Sequence, residues 1–107
     1  MTATGTVSLR REGATAVVTL SNAGRLNAMT RAMWRELRAV FDGIAGADDA
    51  GLRCIVIRGE DGAFCAGGDI SEYPSFRFEE PSLREFHENE VWAALQALLD
   101  CPLPLVA

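Results

Sequence analysis

Short β-rich segments alternate with longer amphipathic segments along this chain. Residues 6–10 alternate polar and apolar side chains, residues 14–20 are rich in β-branched side chains, and Glu12-Gly13 lies between them as a turn signal. This pattern predicts a β-hairpin. The Ile- and Val-rich run at 53–58 predicts a buried central strand, and residues 105–107 predict the start of another.

Two segments carry a helical period. Thr30 is a residue type that caps helix N-termini, and apolar residues spaced by three and four follow it to about Gly46. These residues are Met33, Leu37, Val40, Phe41 and Ile44. The run 82–85, Ser-Leu-Arg-Glu, has the capping-box pattern and predicts a second helix to about Asp100. Residues 73–81 lack a period, so we expect a mobile loop there.

The order of these elements predicts an α/β fold. A hairpin, a helix, a strand and a second helix indicate one sheet with helices packed on it, and residues 47–51 are expected to break the first helix. A length of 107 residues allows a single domain at most. Its 49% hydrophobic and 23% charged residues are typical of a soluble globular chain.

Composition and charge exclude several classes of protein. No apolar run approaches the length of a membrane span, and the first residues lack the features of a signal peptide, which predicts a cytoplasmic protein with no membrane partner. The net charge of −5 disfavours nucleic acid as a partner. Three cysteines without a C-x-x-C pair, and one histidine, predict neither a disulfide framework nor a metal site.

A glycine-rich loop at residues 59–68 follows the predicted central strand. The next residues, 69–72, form an Asp-Ile-Ser-Glu capping box that can start a helical turn. Free N–H groups at such a terminus attract anions, and Gly67 and Gly68 have no Cβ to keep a ligand from the backbone. The residues alone predict an anion-receiving loop, and an ordinary strand-to-helix turn packed with small residues is the alternative.

The amino-acid sequence of the loop resembles a segment of a known family. Residues 63–70, Ala-Phe-Cys-Ala-Gly-Gly-Asp-Ile, are similar to the first oxyanion-hole segment of the crotonase (enoyl-CoA hydratase/isomerase) superfamily, F-x-A-G-x-D-[IL]. Residues 20–29, 48–59 and 101–107 resemble further family segments in family order. The resemblance implies that residues 1–107 are the N-terminal portion of a single crotonase-like domain with a ββα-spiral fold, its C-terminal portion being absent.

That resemblance implies an acyl-CoA-processing enzyme, an enoyl-CoA hydratase by family frequency or else an isomerase, which stabilises a thioester enolate in an oxyanion hole. Gly68 would be the catalytic contact, because its backbone N–H would bind the thioester oxygen. Ala66 would meet the adenine of coenzyme A, and Arg25 would contact a CoA phosphate unless it is a solvated loop arginine. The remaining residues assigned to the substrate and CoA cleft are Leu26, Ala28, Phe64, Gly67, Asp69 and Ile70.

The resemblance also sets expectations about cofactors, partners and departures. Coenzyme A would enter as part of the substrate, with no separate cofactor, and the full-length parent would be a homo-oligomer, a trimer or a hexamer. Gly68 stands where the family commonly has alanine, residues 22–24 lack its usual proline, and Leu103 replaces a common lysine.

The second oxyanion N–H and the acid/base glutamates of the family come from segments beyond the strand that starts at Leu105. The isolated chain is therefore expected to carry half of the hole and to be inactive. The alternatives are a non-catalytic CoA- or nucleotide-binding α/β module and a structural α/β domain without a ligand.

Overall fold

The computed structural model describes residues 5–47 and 51–107, which are built around a four-stranded sheet. Its strands, in spatial order, are β1 (Thr6–Glu12), β2 (Thr15–Ser21), β3 (Cys54–Gly59) and β4 (Leu105–Val106). β1 and β2 form the predicted antiparallel hairpin, whereas β2–β3 and β3–β4 are parallel pairs. The hairpin turns at Gly13, whose φ of +60° suits glycine.

Helix α1 (Arg31–Gly46) is the crossover between the parallel strands β2 and β3. The predicted N-cap is confirmed, because the Thr30 hydroxyl accepts a hydrogen bond from the Met33 N–H at 3.1 Å. Met33, Leu37 and Phe41 are buried against the sheet, so the helical period identified the core face correctly. The predicted helix break falls partly on residues 48–50, which lie outside the described residues.

A second helical segment runs through three consecutive pieces: α2 (Glu80–Arg84), a π-helical stretch (Glu85–Val91) and α3 (Trp92–Leu99). The helices therefore pack with the sheet as an α/β fold, as predicted. Within residues 5–47 and 51–107, no helix has both the length and the apolar character needed to cross a bilayer.

The predicted start of the second helix at Ser82 is wrong. The helix begins at Glu80, and the Ser82 hydroxyl donates instead to the carbonyls of Phe76 and Glu79, at 2.8 and 3.1 Å. Ser82 thus ties the first turn of the helix back to the preceding segment.

The loop predicted over residues 73–81 is present only at residues 76–79, because helical residues lie on both sides of it. A 3-10 helix covers Ile70–Ser75, and Phe76 is 2% exposed. The rings of Phe76 and Phe86 stack with centroids 4.3 Å apart. A hydrophobic anchor from the second helix therefore fixes a segment that has no period of its own.

The π-helical stretch buries an ion pair against α1. Glu90 is 8% exposed, and its two carboxylate oxygens accept hydrogen bonds from Arg31 at 2.7 and 2.8 Å and from Arg35 at 3.2 Å. The hydrogen bonds from Arg31 lower the pKa of Glu90, against the opposing effect of burial. Because each arginine projects from α1, the pair joins the second helical segment to the first.

Glu90→Gln is expected to destabilise the fold by about 2 kcal/mol at pH 7, because a buried charged pair loses one partner. The folded pKa lies below the unfolded value, so the stabilisation is complete above about pH 4.3 and fades as pH falls through the folded pKa. Melting temperatures from pH 7 to pH 3 should therefore converge for the two proteins. Glu88→Gln, which removes only a surface contact with Arg84, is the matched control and should change the melting temperature much less.

Candidate functional site

The glycine-rich loop after β3 is paired through its backbone with the loop after β2. The Met29 N–H donates to the Gly67 carbonyl at 2.7 Å, and the Asp69 N–H donates to the Met29 carbonyl at 2.8 Å. These two bonds form a parallel bridge between Met29 and Gly68 that is separate from the main sheet. The bridge fixes the peptide groups on both sides of Gly68.

The same bridge leaves the Gly68 amide free. In a parallel bridge the bonds to one partner come from the groups flanking the central residue, so the N–H of Gly68 itself points away from Met29. No hydrogen bond between residues that the structure describes uses this N–H, and Gly68 is only partly buried. A rigidly held loop therefore presents one unused backbone donor.

Asn27 joins the two loops through its side chain. Its Nδ2 donates to the carbonyls of Glu60 and Ala63 at 2.9 and 3.1 Å, while its Oδ1 accepts from the Asn22 N–H at 3.0 Å. Asn27 is 4% exposed and has a left-handed φ of +58°, which asparagine tolerates better than most residues do. It was not among the predicted site residues, although residues 26–29 carry the family's N-A-[LM] motif that contains it.

The backbone around Leu26 and Ala66 makes a second contact between the loops. The Ala66 N–H donates to the Leu26 carbonyl at 3.0 Å, so its own carbonyl is the backbone group that a ligand could use. Leu26 has a φ of +52°, a strained value for a branched side chain, and is 68% exposed. Phe64 and Ile70 are exposed as well, so three of the predicted residues present apolar side chains at the surface.

Ala28 lies elsewhere. It is 8% exposed, and its carbonyl accepts a hydrogen bond from the Asn22 amide at 2.8 Å. The structure therefore buries Ala28, unlike the three exposed apolar residues.

Asp69 connects the loop to Arg25. The Asp69 carboxylate caps the following 3-10 helix by accepting from the Ser71 N–H at 3.0 Å, and Arg25 Nη1 lies 3.3 Å from its Oδ1. The hydrogen bond from the Ser71 hydroxyl, helped by the Ser71 N–H and the Arg25 charge, lowers the pKa of Asp69 although burial opposes this. The Arg25 side chain remains half exposed, so its charge stays at the edge of the site.

The predicted capping box is only half formed. Asp69 is the N-cap, but the Glu72 carboxylate does not reach back to the Asp69 N–H, because that N–H is already bonded to Met29. Glu72 accepts instead from the N–H of Arg31 at 2.7 Å, and so ties the 3-10 helix to the start of α1.

Tyr73 lies against Gly68, a contact that was not predicted from the sequence. Its hydroxyl oxygen is 2.4 Å from the point where a Cβ at position 68 would lie. The Tyr73 ring packs on Phe76 and Phe86, with centroid distances of 5.2 and 5.7 Å. A side chain at position 68 would therefore have to displace a hydroxyl whose ring is held in an aromatic cluster.

An apolar cavity of about 160 Å³ lies beneath the loop. Its lining includes Phe64 and Cys65 from the loop and Trp34 and Leu37 from α1. Within residues 5–47 and 51–107, no group of three or more His, Cys, Asp or Glu side chains is arranged to hold a metal ion.

The sequence as a whole matches a family model described as Enoyl-CoA hydratase/isomerase over residues 10–107. The chain belongs to this family. This chain is 37% identical over 93 residues to a "Probable enoyl-CoA hydratase" from Rhodobacter capsulatus, covering 86% of this chain and 33% of the relative. It is also 33% identical over 107 residues to the mitochondrial 3-hydroxyisobutyryl-CoA hydrolase of Rattus norvegicus, covering 99% of this chain and 27% of that protein.

The fold agrees with this assignment. A crystal structure of an enoyl-CoA hydratase/carnithine racemase from Magnetospirillum magneticum superposes with a TM-score of 0.85 at 32% identity, covering 98% of this chain and 38% of the other. The predicted crotonase-like α/β fold is thus confirmed. The chain spans about a third of the length of the relatives it matches.

Asn27→Ala is expected to destabilise the protein by about 2–4 kcal/mol, because the buried Asn22 N–H loses its acceptor, two part-buried carbonyls lose their donor and alanine is strained at this φ. Thermal unfolding in the complete natural protein measures this loss. Asn27→Gly avoids the backbone strain of alanine but still lacks the side-chain hydrogen bonds. A glycine variant as stable as the wild type would therefore contradict the role given to the amide. Asn89→Ala, at an exposed helical position, is the control and should stay within about 0.5 kcal/mol.

Proposed function

We propose that this chain supplies one side of the active site of an acyl-CoA-processing enzyme, in which the Gly68 N–H donates to the oxygen of a thioester enolate. The observation that carries the proposal is the free Gly68 amide, fixed between two backbone hydrogen bonds to Met29. The names of both curated relatives refer to CoA compounds, which supports a CoA thioester as the ligand.

A donor of this kind accelerates a reaction only if it is in place before charge develops. Loss of one oxyanion-hole donor typically costs about 2.7–4 kcal/mol of transition-state stabilisation. The Met29 bridge and the Asn27 amide hold the loop by several independent bonds, so little reorganisation would be needed when the enolate forms. The reaction we favour is hydration of a 2-enoyl-CoA, with isomerisation of the double bond as the alternative on the same half-site.

The rest of the cleft would bind coenzyme A. The Ala66 carbonyl is free to accept a hydrogen bond from adenine, and the exposed apolar side chains of Leu26, Phe64 and Ile70 would contact the ligand. Arg25 would contact a CoA phosphate from its half-exposed position next to Asp69, a role that suits a guanidinium.

In this proposal residues 1–107 are the N-terminal portion of one crotonase-like domain. The second oxyanion donor and the acid/base groups would come from other segments of the complete protein, which would assemble as a homo-oligomer. The coverage of the relatives, at 27–38% of their length, supports this division.

The purified 107-residue chain is accordingly expected not to hydrate crotonyl-CoA, whereas the complete natural protein should turn over a CoA thioester. Loss of the enoyl thioester absorbance measures both. Turnover by the 107-residue chain itself would contradict the half-site proposal.

The Gly68 donor is tested by comparing two double variants of the complete protein. Both variants add a Cβ at position 68. Gly68→Pro/Tyr73→Phe removes the N–H, whereas Gly68→Ala/Tyr73→Phe keeps it. The Phe substitution makes room, because the nearest remaining ring carbon lies 3.4 Å from the Cβ position. We expect kcat to be about 10²–10³-fold lower in the proline variant than in the alanine variant. Equal kcat values in two folded variants would contradict a role for the amide.

A further inference from the structure

The Tyr73 hydroxyl occupies the space in which most residues at position 68 would have a side chain. Its oxygen lies 2.4 Å from the ideal Cβ position, and the next nearest atom of the ring lies at 3.4 Å. A methyl group at position 68 could therefore coexist with the ring and not with the hydroxyl. The Tyr73 oxygen can occupy this position only because Gly68 has no Cβ.

This hydroxyl is placed with little freedom. The Tyr73 ring is tilted against Phe76 and meets Phe86 edge to face, and both of these phenylalanines are buried. Arg31 lies over the Phe76 ring at 4.8 Å and is itself paired with Glu90. These ring contacts consequently restrict the position of the Tyr73 hydroxyl oxygen.

The hydroxyl also has unused hydrogen-bonding capacity. The Tyr73 hydroxyl makes no hydrogen bond to any other residue that the structure describes, and its oxygen is not sealed from solvent. A phenol with a packed ring and an unused O–H is suited to a ligand, since leaving such a group unpaired after a ligand displaces water costs free energy.

We propose that Tyr73 is a ligand-binding residue of the Gly68 site, and that its hydroxyl donates a hydrogen bond to an oxygen atom on the acyl part of the bound thioester. This inference rests on the proposed function and adds a side-chain donor to the backbone donor. It also explains why glycine stands at position 68, because an alanine there would displace the donating oxygen.

The test separates the acyl group from the rest of coenzyme A. Two probes are titrated by calorimetry into the complete natural protein: CoA itself, and the ketone analogue of acetyl-CoA in which a methylene group replaces the sulfur. Tyr73→Phe should weaken binding of the ketone analogue about 3- to 10-fold and leave CoA affinity within about twofold, because only the analogue has the acyl oxygen. An equal effect on both probes, or none on either, would overturn the proposal.

Gly68→Ala adds a Cβ that would displace the Tyr73 hydroxyl, and it leaves Tyr73 itself unchanged. It should give a loss similar to that of Tyr73→Phe, and the double variant should lose no more than Tyr73→Phe alone, since the two changes remove one interaction. Additive losses would show that the two residues act separately, and would overturn the coupling. The melting temperature of each variant reports whether it folds. If one variant fails to fold, the binding data of the other variant test the proposal.

The outcome also distinguishes this inference from the proposed function. If the wild-type protein binds neither probe, the acyl-CoA site itself is wrong. If it prefers the ketone analogue to CoA and Tyr73→Phe keeps that preference, the site stands and Tyr73 is only a packing residue.

Discussion

The candidate site depends on two hydrogen bonds between backbone groups of Met29 and those on either side of Gly68. They are possible because β2 and β3 are parallel neighbours, with Leu20 opposite Gly59 at their carboxyl ends. Loops that leave adjacent parallel strands at the same edge begin side by side, and ligand sites of α/β sheets form at such edges. After both strands have ended, the Met29–Gly68 bridge adds one isolated parallel pair between the two loops and so gives the glycine loop a fixed shape.

A second set of contacts holds the other side of the loop. Glu72 binds the N-terminus of α1, while Glu90 from the π-helical stretch pairs with Arg31 at the same helix end. The buried Phe76 ring packs against Arg31, whose guanidinium carbon lies 4.8 Å from the ring centroid. The buried charges are neutralised locally, which is the condition under which such groups can be retained in a core. Through these contacts α1 supports both loops of the site.

The parts of the fold that the sequence predicts are those determined by local signals. The hairpin turn at Gly13, the Thr30 cap and the strand before the glycine loop each depend on residues close together in the chain. The packing of the segment that follows the loop was not predicted, because it depends on distant partners, such as Phe86 for Phe76. A local pattern read over about ten residues does not indicate such a contact.

The same division applies within the site. Gly68 is a candidate from the sequence because its motif is contiguous, whereas Asn27 donates to carbonyls at positions 60 and 63, and Tyr73 contacts a glycine whose missing side chain leaves no pattern of its own. Three-dimensional contacts give both residues a role that neither residue type nor spacing reveals.

Glycine at position 68 by itself would cost preorganisation, since glycine loses more conformational freedom on folding than any other residue. The bridge changes that balance, because the carbonyl before Gly68 and the N–H after it are both bonded to Met29. The conformational restriction that a Cβ would have supplied is thus supplied by the neighbouring loop. Once the backbone is restrained in this way, the empty Cβ position becomes available for a different purpose, and the Tyr73 hydroxyl occupies it. Substituting glycine for the family's usual alanine therefore need not weaken the site, provided that the Met29 bridge is intact.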